Sequence, residues 1–326
     1  MCAALIAIVF AVAHPARSGR SQKSPQQTAG LHVSGRDILE ADGNRFVMRG
    51  VSHPYAWYRD QNRSFADIKR LGANSVRVVL TAGVAAGEVA DVIAECKRNR
   101  LICVLEYHDT TGHGDAGGGS STLDQAAAYW VALRDVLAGQ EDYVVVNLGN
   151  EPFGNTEARD WTGATKAAIG KLRDAGLRHL VMVDGPNWGQ DWSGVMRTNA
   201  ASVLAADPRR NTVFSVHMYG VYDTAAKVTG YFDAFATAGL PLVVGEFGWK
   251  HSDGDVDEDA IIDGAQARGI GYLGWSWSGN GGGVEYLDTA LGFDPARLTA
   301  WGRRLFDGAN GIRATAKEAT VYAARP

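Results

Sequence analysis

Glu151 and Glu246 each follow an apolar run, YVVVNLGN before the first and PLVVG before the second. A carboxylate placed there is partly desolvated and needs a chemical reason. Two such acids, with aromatic residues nearby and no cofactor motif, are the equipment for hydrolysing a glycosidic bond. One protonates the leaving oxygen. The other attacks the anomeric carbon or activates water. Taken singly, either glutamate reads equally well as a salt-bridge partner at the rim of a fold.

Other apolar runs also stop at polar and aromatic residues. In chain order these ends are Ser52-His53-Pro54-Tyr55, Arg77 within its run, and Glu106-Tyr107-His108-Asp109. Asn150-Glu151-Pro152 and Asp184 with Asn187, Trp188 and Trp192 follow. The last are His217-Met218-Tyr219, Gly245-Glu246-Phe247-Gly248 and Trp275-Ser276-Trp277 with Asn280. Eight such ends together describe one pocket. Rival motifs are weaker. Gly112 to Gly117 fits G-x-G-x-x-G, but Asp109-Thr110-Thr111 separates it from its strand, so a loop at the pocket mouth is expected instead of a dinucleotide site. The acidic stretch Asp253–Asp259 lacks the glycine and glutamate of a calcium loop and reads as a solvated cap for the next helix. No G-x-S-x-G elbow and no Cys/His zinc spacing occur. No cofactor and no metal are expected.

The elements that must hold these ends are legible as periodicity. Strands are expected at 46–52, 75–80, 101–108, 143–150, 179–184, 212–219, 241–247 and 271–277. Near-continuous apolar runs of this kind suit parallel strands buried on both faces. Their nearly even spacing leaves room for a loop, a helix and a loop each time. Ser64 with Asp67, and Ser121 with Asp124, read as capping boxes at helix starts. After the second, Leu123, Ala126, Ala127, Trp130, Leu133 and Leu137 fall on one stripe, which makes Trp130 a core residue. Eight βα units predict a closed (β/α)8 TIM barrel in a single domain, with an open doubly wound sheet as the rival. A short β-hairpin turning at Asp42-Gly43 is expected to precede it.

Composition is that of a soluble globular protein: 46% hydrophobic and 21% charged residues, with a formal charge of −4. That balance offers nothing to nucleic acid or to anionic lipid. Cys2 to Ala13 is too short to span a bilayer and ends in Ala11-Val12-Ala13, as a secretory signal peptide does. Residues 1–13 are thus read as the signal h-region, 14–29 as a disordered segment and 30–326 as the catalytic domain of a secreted protein. After signal removal two cysteines remain, Cys96 and Cys103. An oxidising compartment favours a disulfide between them over two buried thiols.

From Leu31 to Lys317 the chain resembles glycoside hydrolase family 5, within the clan of retaining (β/α)8 glycosidases, and among its members the bacterial secreted β-1,4-mannanases. The resemblance rests on RGVSHPYAWY, ANSVRVVL, RLICVLEYHDTTG, NLGNEPFGN, DGPNWGQDW, VFSVHMYGVY, GEFG and GWSWSGNGGGVEYLD. It implies Glu151 as acid/base and Glu246 as nucleophile. It implies Asn150 on the substrate 2-hydroxyl, His217 and Tyr219 positioning the carboxylates, and Arg77 supporting the nucleophile. His108 and Trp275 would line the subsite that holds the cleaved sugar, with Trp188 and His53 also on the substrate. Arg77 is expected to keep Glu246 ionised. The activity implied is that of a monomeric endo-β-1,4-mannanase. The alternatives are an endo-β-1,4-glucanase with the same machinery and a catalytically silent barrel that binds polysaccharide.

Overall fold

A computed structural model describes Met1, residues 30–115 and residues 119–323. The expected signal segment and residues 14–29 lie outside the described residues, as does the end of the Gly112–Gly117 run.

The strands, in chain order, are β1 (His32–Ser34), β2 (Asp37–Leu39), β3 (Arg45–Phe46), β4 (Arg49–His53), β5 (Ser75–Leu80), β6 (Ile102–Tyr107) and β7 (Val144–Asn147). There follow β8 (Leu180–Asp184), β9 (Thr212–Met218), β10 (Leu242–Phe247), β11 (Lys250–His251), β12 (Gly254–Asp255) and β13 (Gly271–Gly274). Strands β4 to β10 and β13 pair in parallel and close on themselves, so the eight-stranded barrel is present and the open sheet is excluded. Helices lie between successive barrel strands, among them Ala86–Arg98, Leu123–Ala132, Trp161–Asp174 and Ala225–Ala238.

Alternation sorts each strand into two layers. One set of side chains fills the lower barrel interior: Met48, Ile102, Val104, Val145, Leu180, Met182, Val213, Val243 and Leu273, all almost wholly buried. The other set, including Val51, Val76, Val78, Leu105, Val146, Val183 and Val216, packs outward against the helices. Trp130 belongs to that outer layer, fully buried, with its indole N–H on the Leu148 carbonyl at 2.8 Å.

Several boundaries differ from the sequence reading. Phe46 does not open the first barrel strand. It ends a three-stranded antiparallel sheet, β1-β2-β3, that contains the expected hairpin. The turn at Asp42-Gly43 is present, with Gly43 at φ +85° and Asp42 accepting from the Asn44 amide. Ser64 lies inside its helix (Arg63–Arg70), and Asp67 pairs with Arg63 and Arg70 instead of capping. The second capping box is displaced by one residue, with Thr122 as cap and Gln125 as its reciprocal partner. Glutamine reaches back to the cap amide, which the shorter Asp124 does not do here. The acidic stretch behaves as expected, because Asp257 caps the helix Glu258–Arg268 by accepting from Ala260.

Cys96 and Cys103 correct the expected disulfide. Both are free, buried thiols. One lies on the helix Ala86–Arg98 and the other on β6 behind it. Burial pushes the Cys96 thiol well up, and contact with the Cys103 thiol adds to it. The pair therefore acts as small hydrophobes in the layer between helix and barrel.

Candidate active site

A cleft of about 590 Å³ opens at the C-terminal end of the barrel. His108, Asn150, Glu151, Trp188, Tyr219, Glu246 and Trp275 line it, so seven of the expected site residues meet there. Each arrives by a different local device.

Glu246 is turned inward by a bulge. Val243 points into the barrel and strict alternation would send residue 246 outward. The register with β9 shifts between Val244 and Glu246, so that Glu246 pairs with His217 and both face the interior. Glu151 leaves β7 through the left-handed region at φ +40°. Such a conformation costs a non-glycine residue on the order of 1–3 kcal/mol and persists only where neighbours enforce it. The neighbours are the Gly112 amide, which donates to the Glu151 carbonyl at 2.9 Å, and the Asn150 amide, which donates to Tyr107 at 2.9 Å. Gly189 has to be glycine, since a Cβ there would fall 2.5 Å from the His217 ring.

The cleft floor is an ionic network that is almost wholly buried. The Arg77 guanidinium donates through Nη1 to Glu246 Oε1 at 2.6 Å, through Nη2 to Asn150 Oδ1 at 2.7 Å, and through Nε to Asn147 Oδ1 at 2.9 Å. Tyr219 donates its hydroxyl to Glu246 Oε2 at 2.9 Å, so both oxygens of Glu246 are held. His217 Nδ1 lies 2.8 Å from Glu151 Oε1 and 3.6 Å from Glu246 Oε2, while Nε2 lies 3.2 Å from Asp184 Oδ2. One carboxylate oxygen of Glu151 and one of Glu246 lie within 4.8 Å of each other and of the His217 ring.

Burial disfavours a charge on His217, but Glu246 and Asp184 outweigh it and push its pKa up to about 10. It is an imidazolium at neutral pH, and both ring nitrogens are donors. Burial likewise opposes the charge on Asp184, yet His217 and Arg77 hold that carboxyl down to about 2. Glu246 departs from expectation. Burial pushes its carboxyl above the ordinary value of 4.5 and Glu151 adds to the rise, so that Arg77 and His217 only partly offset it. Proximity to arginine alone did not fix the sign, because the same site that supplies the arginine also excludes water.

His53 is a second correction. It does not line the cleft. It is wholly buried behind β4, its ring edge-on to Phe65 at 5.2 Å, and burial drops its pKa to about 3. The side chain after Ser52 points to the helices, so this is a neutral packing histidine. Trp277, although at a strand end, is fully buried with its ring edge-on to Phe306. Trp249 sits at the surface outside the cleft, its indole donating to Tyr286.

The cleft also contains residues that the sequence did not single out. His251 lies on the small β11–β12 hairpin, its ring 4.7 Å from that of Tyr219 and its Nδ1 3.3 Å from Asp253. Gln190 donates to Asp253 at 2.9 Å. Asn155 accepts from Trp192, an exposed tryptophan on the cleft wall. Asn147 supports Arg77 from below, together with Asp184, which the sequence did place at a strand end. The signal of Asn147 was present, as a polar residue at an inward position of β7, but Val146 and Leu148 on either side concealed it.

A parallel eight-stranded barrel with two buried glutamates across one polar cleft defines the architecture of a retaining glycosidase. The chain matches the cellulase family, glycosyl hydrolase family 5, over residues 39–281, and it belongs to that family. A mannan endo-1,4-beta-mannosidase of Streptomyces lividans is 60% identical over 99% of this chain and 84% of its own length. A second mannan endo-1,4-beta-mannosidase, from Cellvibrio japonicus, is 49% identical over 90% of this chain and 70% of its own length. Among solved structures, the beta-mannanase from Streptomyces thermolilacinus with mannohexaose superposes with a TM-score of 0.89 at 56% identity. It covers 91% of this chain and all of its own.

Proposed function

We propose that the protein is an endo-acting β-1,4-mannanase that hydrolyses mannan, galactomannan and glucomannan with retention, by double displacement. The observation that carries this reading is the close approach of the Glu151 and Glu246 carboxylates. It suits direct attack on the sugar and leaves no room for the water that an inverting enzyme places between them. Glu246 attacks the anomeric carbon, its two oxygens aimed by Arg77 and Tyr219. Glu151 gives its proton to the leaving oxygen, then takes one from water. The His217 imidazolium donates to Glu151 Oε1 and fixes that carboxyl group. Asn150, oriented by Arg77 and Thr111, meets the 2-hydroxyl. His108 and Trp275 pack face to face, 15° from parallel, on the wall that receives the sugar, with Trp188 on another. The identities of 60% and 49% with mannan endo-1,4-beta-mannosidases support the choice of mannan. Residues 30–326 are the catalytic domain and act as a monomer on the polysaccharide. Export rests on the apolar stretch ending at Ala13; among the described residues no helix is long and apolar enough to cross a membrane.

Reducing-sugar release from galactomannan, glucomannan and carboxymethylcellulose tests the substrate. Glucose differs from mannose only at C2, where a buried hydrogen-bonding site discriminates by ~10²-fold or more. Mannan cleavage with at least that advantage over cellulose is expected. Equal kcat/KM on both would make the protein a glucanase, and release from neither would make it a binding barrel.

The raised pKa of Glu246 has a sign that can be checked. A nucleophile must be ionised, and a folded-state value above 4.5 means that activity disappears while ordinary glutamates are still charged. With an activated aryl mannoside, which needs no proton donor, the acid limb of kcat/KM is expected above pH 4.5. The value belongs to the Glu246–Glu151–His217 cluster as a whole. A limb below 4.5 would contradict the burial argument.

A further inference from the structure

Glu106 is a buried carboxylate that the mechanism above does not use. It sits at an inward position of β6, with no solvent exposure. One oxygen, Oε1, lies 3.0 Å from His108 Nδ1. The other, Oε2, has no hydrogen-bond partner among the described residues and lies 3.9 Å from Arg77 Nη1. Burying an ionised carboxylate costs several kcal/mol unless it is paired. Arg77 supplies a charge at that distance but no hydrogen bond, because its donors already go to Asn147, Glu246, Asn150 and Asp184. The hydrogen bond of Glu106 is to His108.

We infer that Glu106 is the positioning residue that fixes His108 as an Nδ1-protonated donor, so that Nε2–H is presented to a substrate hydroxyl in the cleft.

Three features carry this. The His108 ring cannot swing, since it stacks on Trp275 with centroids 5.9 Å apart and takes the edge of Trp57 at 5.1 Å. With the ring held and Nδ1 on Glu106, the remaining nitrogen is the one available to the cleft that His108 lines. The second feature is charge. The network holds Arg77 and the His217 imidazolium against four carboxylates, Glu106, Asp184, Glu246 and Glu151. A charged His108 adds a third cation to this network, close to Arg77. Glu106 is then the counter-ion that lets His108 stay charged beside Arg77. Third, the groups facing His108 are Glu106, two residues before it on β6, Arg77 on β5 and Glu246 on β10. Burial opposes its charge and Arg77 repels it, yet the two carboxylates outweigh both and raise its pKa above 6.5. A charge-assisted donor is about twice as strong as a neutral one, which suits recognition of a sugar hydroxyl.

The inference rests on the cleft being where polysaccharide is cleaved, but its first test does not. In ¹⁵N spectra of the wild-type protein, His108, assigned by its loss in His108→Asn, is expected to keep a protonated Nδ1 and to titrate above 6.5. Glu106→Gln retains an acceptor and removes the charge, and the titration is expected to fall below 6.5. A wild-type His108 that titrates below 6.5, or is unmoved by Glu106→Gln, would overturn the proposal whatever the substrate proves to be. On mannan, Glu106→Gln and His108→Asn are each expected to lower kcat/KM about 10–100-fold, through one shared contact. The double variant should then be no worse than the poorer single one. Strictly multiplicative losses would mean that Glu106 acts on something other than His108, and the assignment would fail. If no variant hydrolyses mannan and neither does the wild type, the spectra still decide the role of Glu106.

Discussion

Glu246→Ala is expected to be inactive on every substrate, polymeric or activated. In the proposed mechanism Glu246 supplies the electron pair that displaces the leaving group, and no neighbouring group can replace it. Asp184 is held to Arg77 and His217 below the floor. Glu106 faces His108. Losses for removing a covalent nucleophile run to about 10⁴–10⁶ in kcat. The variant should still fold, because Arg77 keeps Asp184 and Glu106 as counter-charges and is not left buried alone. It leaves the Arg77 Nη1 and Tyr219 hydroxyl donors unpaired, at about 1–3 kcal/mol each, and a fall in Tm of some degrees is the expected secondary sign. Turnover of an activated aryl mannoside by a folded Glu246→Ala protein, at more than a hundredth of the wild-type rate, would refute its assignment.

Much of this site was legible because β strands in a barrel carry two codes at once. The apolar code, valine after valine in VVVN and LVVG, announces burial on both faces and so the barrel. The polar residues that interrupt it mark where the strands open to the cleft. The second code, which residue faces inward, is simple only while pairing is regular. At β10 it is not. The inward direction of Glu246 depends on the bulge after Val244, and nothing in the letters GEFG specifies that bulge. His53 shows the opposite failure. It stands at a strand end in a run of polar and aromatic residues, yet one position of alternation sends it to the helix layer and into full burial. Glu106 and His108 lie two apart on one face, so the pairing was readable, but only the exposed member looked functional. The β11–β12 hairpin that brings His251 to Tyr219 depends on contacts made across the rim by Asp253 with Gln190 and Gly220, and these are non-local. The cysteines were misread for a different reason. Spacing allows a disulfide, but both thiols fit the apolar layer between a helix and its strand, where packing alone accounts for them.

Glu151→Ala is expected to separate the two halves of the reaction. Proton donation by a positioned acid is worth ~10²–10⁴-fold, but only where the departing oxygen needs a proton. A mannan chain leaves as a sugar alkoxide, so the variant should lose that factor on the polymer. An activated phenolate leaves unaided, so glycosylation should remain within about tenfold of wild type. Deglycosylation then becomes slow, because Glu151 no longer takes a proton from the attacking water, and a burst of phenol followed by a low steady rate is expected. The loss of Glu151 also frees the His217 Nδ1–H, 3.6 Å from Glu246 Oε2, to turn wholly to the nucleophile. A cation that no longer divides itself between two carboxylates lowers the pKa of the one it keeps. The acid limb of the burst rate in Glu151→Ala should therefore move below that of the wild type, helped by the loss of repulsion from Glu151 itself. Parallel losses on mannan and on the activated mannoside, with no burst, would sink the acid/base assignment. Survival of the activated reaction in Glu246→Ala but not in Glu151→Ala would exchange the two roles. A first-formed product of inverted configuration by NMR would remove double displacement altogether, since one displacement inverts and only two restore the anomeric centre.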